Sequence, residues 1–156
     1  MTRFAFSFTT MAAISAFAIG ALASLAPMDR AMAQQGEDAR QPIALDAAER
    51  AFVLAEMRAF LQSVEGIVSA VANDRVPEAE AAARKSGMGV MHSVPPTLRQ
   101  KLPKEFMMMG HATHQAFDML AEDAKTIADK ATALKQLEQI LNTCNTCHAS
   151  YRLSGG

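Results

Sequence analysis

The chain has 156 residues, of which 50% are hydrophobic and 20% charged, and its formal net charge is −1. A balance this close to neutral excludes nucleic acid as a partner, because phosphate binding needs a basic face that the chain does not offer. The length holds one domain with a single core and leaves no comfortable room for a second.

In chain order, the first segment reads as a targeting signal. Arg3 gives a small positive start, Phe4 to Ala26 is uncharged and rich in Ala, Phe, Ile and Leu, and Pro27 breaks the run. Ala31-Met32-Ala33 places small residues at the two positions a signal peptidase inspects, which predicts a signal peptide over 1–33, cleavage before Gln34 and export to the periplasm. The alternative is an uncleaved anchor, since the apolar run is long enough to span a bilayer. Residues 34–43 are polar and aperiodic, a disordered lead-in to a domain over 44–156.

The domain reads as all-α. Asp46-Ala47-Ala48-Glu49 has the form of a helix start, a carboxylate to cap the free amides and a Glu to reach back. Val53, Met57, Phe60, Val64, Ile67 and Val71 then recur at helical spacing, a buried stripe that carries the first helix to about Ala72. Asn73-Asp74 turns the chain, and Pro77 suits the first turn of a short second helix that reaches about Ser86. Gly87 and Gly89 end it, and Pro95-Pro96 and Pro103 bracket an irregular connection, with Pro103 placed to open the third helix. The third stripe is Phe106, Gly110, Thr113, Phe117, Leu120 and Ala124. After a turn near 128–131 the fourth is Leu134, Leu137, Leu141, Cys144, His148 and Tyr151, which puts both cysteines and His148 on an inward face. No stretch alternates as a strand would. Four amphipathic helices on short connections predict an antiparallel four-helix bundle.

Cys144-Asn145-Thr146-Cys147-His148 is the attachment pattern of a c-type haem. On a helix, residues three and four apart share a face, so two thiols reach the two vinyl groups of one porphyrin while the next imidazole reaches the iron. Chance gives this spacing followed by His about once in 3,000 arrangements of the composition. Three other readings compete. A redox dithiol uses the same cysteine spacing, but at a strand-to-helix junction. Zinc would need a fourth ligand from His92, His111 or His114. In an oxidising compartment the two thiols could also join as a disulfide.

The motif lies in the last helix of an exported four-helix chain and continues as Ala149-Ser150-Tyr151-Arg152. This resembles the cytochrome c′ family and its low-spin relatives, whose final helix carries the same motif followed by an aromatic residue and Arg. The likeness is specific in the last helix and one of architecture over 44–153. It implies one covalent haem c on Cys144 and Cys147, His148 as the proximal iron ligand, and Arg152 beside the haem edge or a propionate. An arginine at a helix end is otherwise an ordinary solvated cation. Low-spin members take their sixth ligand from a methionine of the first helix, and Met57, on the stripe of Val53 and Phe60, occupies the comparable place. A methionine on an apolar stripe is otherwise core filler.

In such a bundle, the end of the fourth helix shares its end of the molecule with the start of the first, the end of the second and the start of the third. Met57, Met88, Met91, His92, Met107, Met108, Met109 and His111 are then available to the distal face, and at least one of Met107–Met109 is expected to face the haem. His111 and His114 read as boundary residues. Arg50 and Arg58 are either propionate partners or surface pairs of Glu49 and Glu56. Two functions stay open. With Met57 and His148 both on the iron, the chain carries single electrons between soluble or membrane redox partners. With the iron five-coordinate, it is a module that binds NO or CO. A peroxidase would need polar distal groups from His111 or His114, so no enzymatic activity is expected. A homodimer like those of the resembled family stays open.

Overall fold

The computed structural model describes residues 38–155. The fold is predominantly helical, as the periodicity predicts, with a small two-stranded sheet that the periodicity does not reveal. Strand β1 (Gln41–Leu45) leads into helix α1 (Ala47–Ala72), and a 3₁₀ turn, Val76–Glu78, runs on into α2 (Ala79–Arg84). A 3₁₀ segment, Met88–Ser93, and a short helix α3 (Pro96–Lys101) make the connection to the two remaining long helices, α4 (Lys104–Thr126) and α5 (Lys130–Ser150). Strand β2 (Tyr151–Gly155) ends the described chain and pairs parallel with β1, Gln41 opposite Tyr151 and Leu45 opposite Gly155.

Side-chain chemistry accounts for the helix ends. The Glu49 N–H donates to the Asp46 carboxylate at 2.9 Å, and the Asp46 N–H donates to the Glu49 carboxylate at 3.0 Å, the reciprocal cap that the sequence predicts. Lys101 donates to the same Glu49 carboxylate at 2.7 Å. Glu49 is therefore buried and held from α3, not paired with Arg50 on the surface. Pro96 sits in the first turn of α3, where the missing N–H costs nothing, so a helix forms inside what the sequence presents as an irregular connection. Between α4 and α5, Ala128 takes a left-handed conformation, φ 54°, and Asp129 accepts from the Thr132 N–H at 2.7 Å to start α5.

The buried side chains fall into two clusters. In the larger, α1, α2, α4 and α5 meet around Ile67, Ala79, Phe117, Leu120, Leu137 and Ile140. The smaller gathers Ile43, Leu45, Val53, Val94 and Leu98, with Met57, Phe106 and Tyr151 packed against it. The sheet, the start of α1 and the segment around α3 thus share a separate patch of core.

Three expectations change. Residues 41–43 belong to β1 and not to a disordered lead-in, because Ile43 and Leu45 are buried while Pro42 before them and Ala44 between them are exposed, the alternation of a strand. Tyr151 starts β2 and does not continue the last helix. Finally, α5 turns Ala133, Leu137 and Ile140 inward, with Cys144 packed beside them, while Leu134 and Leu141 are 47% and 41% exposed. Both stripes share Leu137 and both are apolar at helical spacing, so periodicity alone does not choose between them. His148 accordingly lies on an exposed side of the helix end. The predicted signal peptide, its cleavage site and the anchor alternative lie outside the described residues. Among the described residues, no helix is long and apolar enough to cross a membrane.

Candidate functional site

The motif occupies the last turns of α5, with both cysteines free and half-buried. Cys144 packs on the larger cluster, whereas Cys147 and His148 face a cavity of about 260 Å³ between the start of α1 and the end of α5. From α1 come Arg50, Val53, Leu54 and Met57; Phe106 enters from α4, and Tyr151, Arg152 and Leu153 from β2, with Arg40 at the rim.

The strand pairing explains why these residues meet. Since β2 leaves α5 and β1 enters α1, the sheet lays the end of one long helix beside the start of the other. Two guanidinium bonds reinforce it: Arg40 Nη1 donates to the His148 carbonyl and Arg50 Nη1 to the Leu153 carbonyl, each at 3.3 Å. Phe106 meets Tyr151 edge-on, ring centroids 5.5 Å apart.

The lining is chemically selective. Among the described residues that line it, Arg40, Arg50 and Arg152 bring three guanidinium groups, whose fork geometry matches a carboxylate, and none is an Asp or Glu. Met57 and His148 offer a thioether and an imidazole, both ligands of transition metals. Burial pushes the Cys144 thiol up; burial and, second, the neighbouring Cys144 push up that of Cys147. Thiols pushed up by burial in the last turns of a helix differ from the low-pKa thiolate that a redox dithiol uses. Among the described residues, no group of three or more His, Cys, Asp or Glu side chains is arranged to hold a metal ion.

A second cavity is larger, about 720 Å³, and lies between α1, the 88–93 segment, α3 and α4. It contains no motif residue and shares only Val53 and Phe106 with the first. Size favours the larger cavity and chemistry the smaller; the chemistry decides, because Cys147, His148 and Met57 meet at the smaller. Of the methionines and histidines that the sequence sends together to one distal face, all but Met109, which lines neither cavity, are sorted between the two. Met57 lines the smaller; Met88, Met91, His92, Met107, Met108 and His111 line the larger.

His111 is exposed, but His114 is buried at 2% exposure and is not at a boundary. Its Nδ1 lies 2.8 Å from the Ser86 carbonyl and its Nε2 3.2 Å from the Glu56 carboxylate, which also removes Glu56 from any pairing with Arg58. Arg50 lines the site as the sequence allows, and Arg58 is exposed. Sequence reasoning missed Arg40 because it lies in a segment that reads as disordered. The only local signal was the alternation of Ile43 and Leu45.

Against known proteins, the chain matches no family model, no curated protein and no solved structure.

Proposed function

We propose that this chain is an exported c-type cytochrome, with one covalent haem c on an antiparallel bundle of α1, α2, α4 and α5, and that it transfers single electrons. The observation that carries the reading is the convergence of Cys147, His148, Met57 and three arginines on one cavity, with Cys144 one turn earlier on the same helix. The residues fit each part of a haem: Cys144 and Cys147 for the vinyl groups, His148 and Met57 for the axial positions, and Arg40, Arg50 and Arg152 for the propionates.

When bound, the haem supplies reversible one-electron chemistry at its iron. The chain's own side chains do the rest. Val53, Leu54 and Phe106 keep water from the macrocycle, the arginines neutralise carboxylates that would otherwise be costly to bury, and the exposed end of α5 leaves an edge open to a soluble or membrane redox partner. The cavity is smaller than the about 300–1,000 Å³ usual for bound cofactors, so the smaller cluster around it yields when the haem is seated. Leu54, Leu61 and Val68 stand exposed at seven-residue spacing along α1, a seam that suits a second copy of the chain.

A five-coordinate module that binds NO or CO is the second reading. It is favoured by the packing of Met57 against the smaller cluster, which gives the thioether a structural role without iron. One optical experiment separates the two. The exported protein is expected to keep its colour through denaturation and, when oxidised, to be low-spin with a weak far-red band from thioether ligation. Met57→Ala is expected to remove that band and admit carbon monoxide. A protein that is high-spin as made and binds carbon monoxide transfers the assignment to the gas-binding reading, and a colourless protein from a host able to attach haem overturns both.

A further inference from the structure

The larger cavity carries soft donors that the haem reading does not use. Met88 and Met91 are three apart on a 3₁₀ segment, where side chains at that spacing eclipse, so their thioethers lie along one edge. On α4, Met107 and Met108 lie four and three residues before His111, which makes the three neighbours on the helix surface. His92 completes the set, and all six line the same cavity.

The backbone that presents these side chains is fixed. The Met88 N–H donates to the Asp118 carboxylate of α4 at 2.9 Å, and Arg99 of α3 donates to the Met91 carbonyl at 2.7 Å. Gly87 makes the first clamp sterically feasible, because a Cβ there would stand 2.1 Å from Asp118 Oδ1. Met88 and Met91 are thus carried on an anchored segment, Met91 also packing against the smaller cluster. Met107 and Met108 are 37% and 61% exposed, so core packing does not account for them. Among the described residues of this lining, the carboxylate Glu56 is already engaged by His114, and of the two cations, Lys104 and Arg99, the latter is held by the Met91 carbonyl. The soft donors left are thioether and imidazole, a set that suits Cu(I) rather than a hard divalent ion.

We propose that this cavity binds Cu(I) through the thioethers of Met88, Met91, Met107 and Met108, with His92 and His111 as imidazole donors. The proposal is independent of the haem, whose residues line the other cavity. Because free cysteines also take Cu(I), the test uses the full exported chain with Cys144 and Cys147 blocked, by haem where it is attached and by alkylation where it is not. Cu(I) held by ascorbate without oxygen is titrated against a chromogenic Cu(I) chelator. The unmodified chain is expected to withdraw about one equivalent. Met107→Leu with Met108→Leu, at positions exposed enough to leave the fold intact, is expected to weaken that competition by more than about tenfold. Adding Met88→Leu and Met91→Leu, which conserve volume, is expected to abolish it. Met119→Leu, on an exposed position that does not line this cavity, is expected to leave it unchanged. Failure of the unmodified chain to compete overturns the proposal, and so does equal competition by the variant carrying all four leucines.

Discussion

His114 is buried with a carbonyl on one side and a carboxylate on the other, and that arrangement decides its charge. The Ser86 carbonyl can only accept, so Nδ1 must carry a proton and donate; Nε2 can then donate to Glu56 only if the ring is a cation. Burial is the largest single influence and pulls the pKa down. The bonds to Glu56 and Ser86, with the charges of Glu56 and Asp118, outweigh it and raise the pKa. A raised folded value contributes stability that is complete below the unfolded value of about 6.5 and is lost as pH rises through the folded one. Urea midpoints taken from about pH 5 to about pH 9 are therefore expected to fall on the alkaline side, with a slope that Glu56→Gln flattens. An equal slope in that variant would assign the pH dependence to other groups. Gly66 offers a second test, in which helix propensity and packing oppose each other. Alanine gains about 1 kcal/mol as a helix former, whereas its Cβ would stand 2.7 Å from that of Ala82, and overpacking of this kind costs about 1–3 kcal/mol. Packing wins, so Gly66→Ala is expected to destabilise by about 1 kcal/mol in denaturant titration.

At the scale of elements, the caps were legible and the sheet was not. Asp46 and Glu49 identify the start of α1 because both partners of the reciprocal cap lie within one turn of sequence. The same Asp46 gives a discriminating substitution. Its carboxyl is held below the usual range, first by the Glu49 N–H, with burial acting against it, and then by Lys101. That stability is present above the unfolded value of about 3.9 and is lost as pH falls through the folded one. Asp46→Asn keeps an acceptor at the cap and loses only the charge, so at neutral pH its thermal midpoint is expected between those of the unmodified protein and Asp46→Ala. If asparagine is as damaging as alanine, charge and Lys101 matter more than the cap bond. The pairing of β1 with β2 joins segments at opposite ends of the domain and has no local signature beyond two buried residues, Ile43 and Leu45. The inward face of α5 was misread for a different reason: Leu134 and Leu141 fit helical spacing as well as Ala133 and Ile140 do. Only packing against the other helices breaks that tie.

Across the whole molecule, the residues of chemical interest sit at the end with less core. The larger cluster is built from 13 buried residues and the smaller from 5, and the smaller one borders both cavities through Val53 and Phe106. The motif Cys144 to His148 is visible in the sequence through residue type and spacing, and the family resemblance singled out Met57 and Arg152, which line the same cavity as Cys147 and His148. The division of the methionines between two cavities is not visible there, because it depends on how α3 and the 88–93 segment fold back on α1 and α4. Opening free energy follows buried apolar contact, so the two ends are expected to differ in hydrogen exchange. In a variant with Cys144→Ala and Cys147→Ala, amides of β1, β2 and α3 should exchange well before those around Ile67, Leu120 and Ile140. If the proposed haem is attached, its contacts fall at the start of α1, the end of α5 and β2, which line the smaller cavity, so the unmodified protein is expected to gain protection there and less around Ile67, Leu120 and Ile140. Both proteins keep the 13 buried residues of the larger cluster, against which Cys144 only packs, so that cluster serves as the internal reference. Uniform gain across all helices would mean that the domain opens as one unit and that the smaller cluster is not the part that yields to the cofactor.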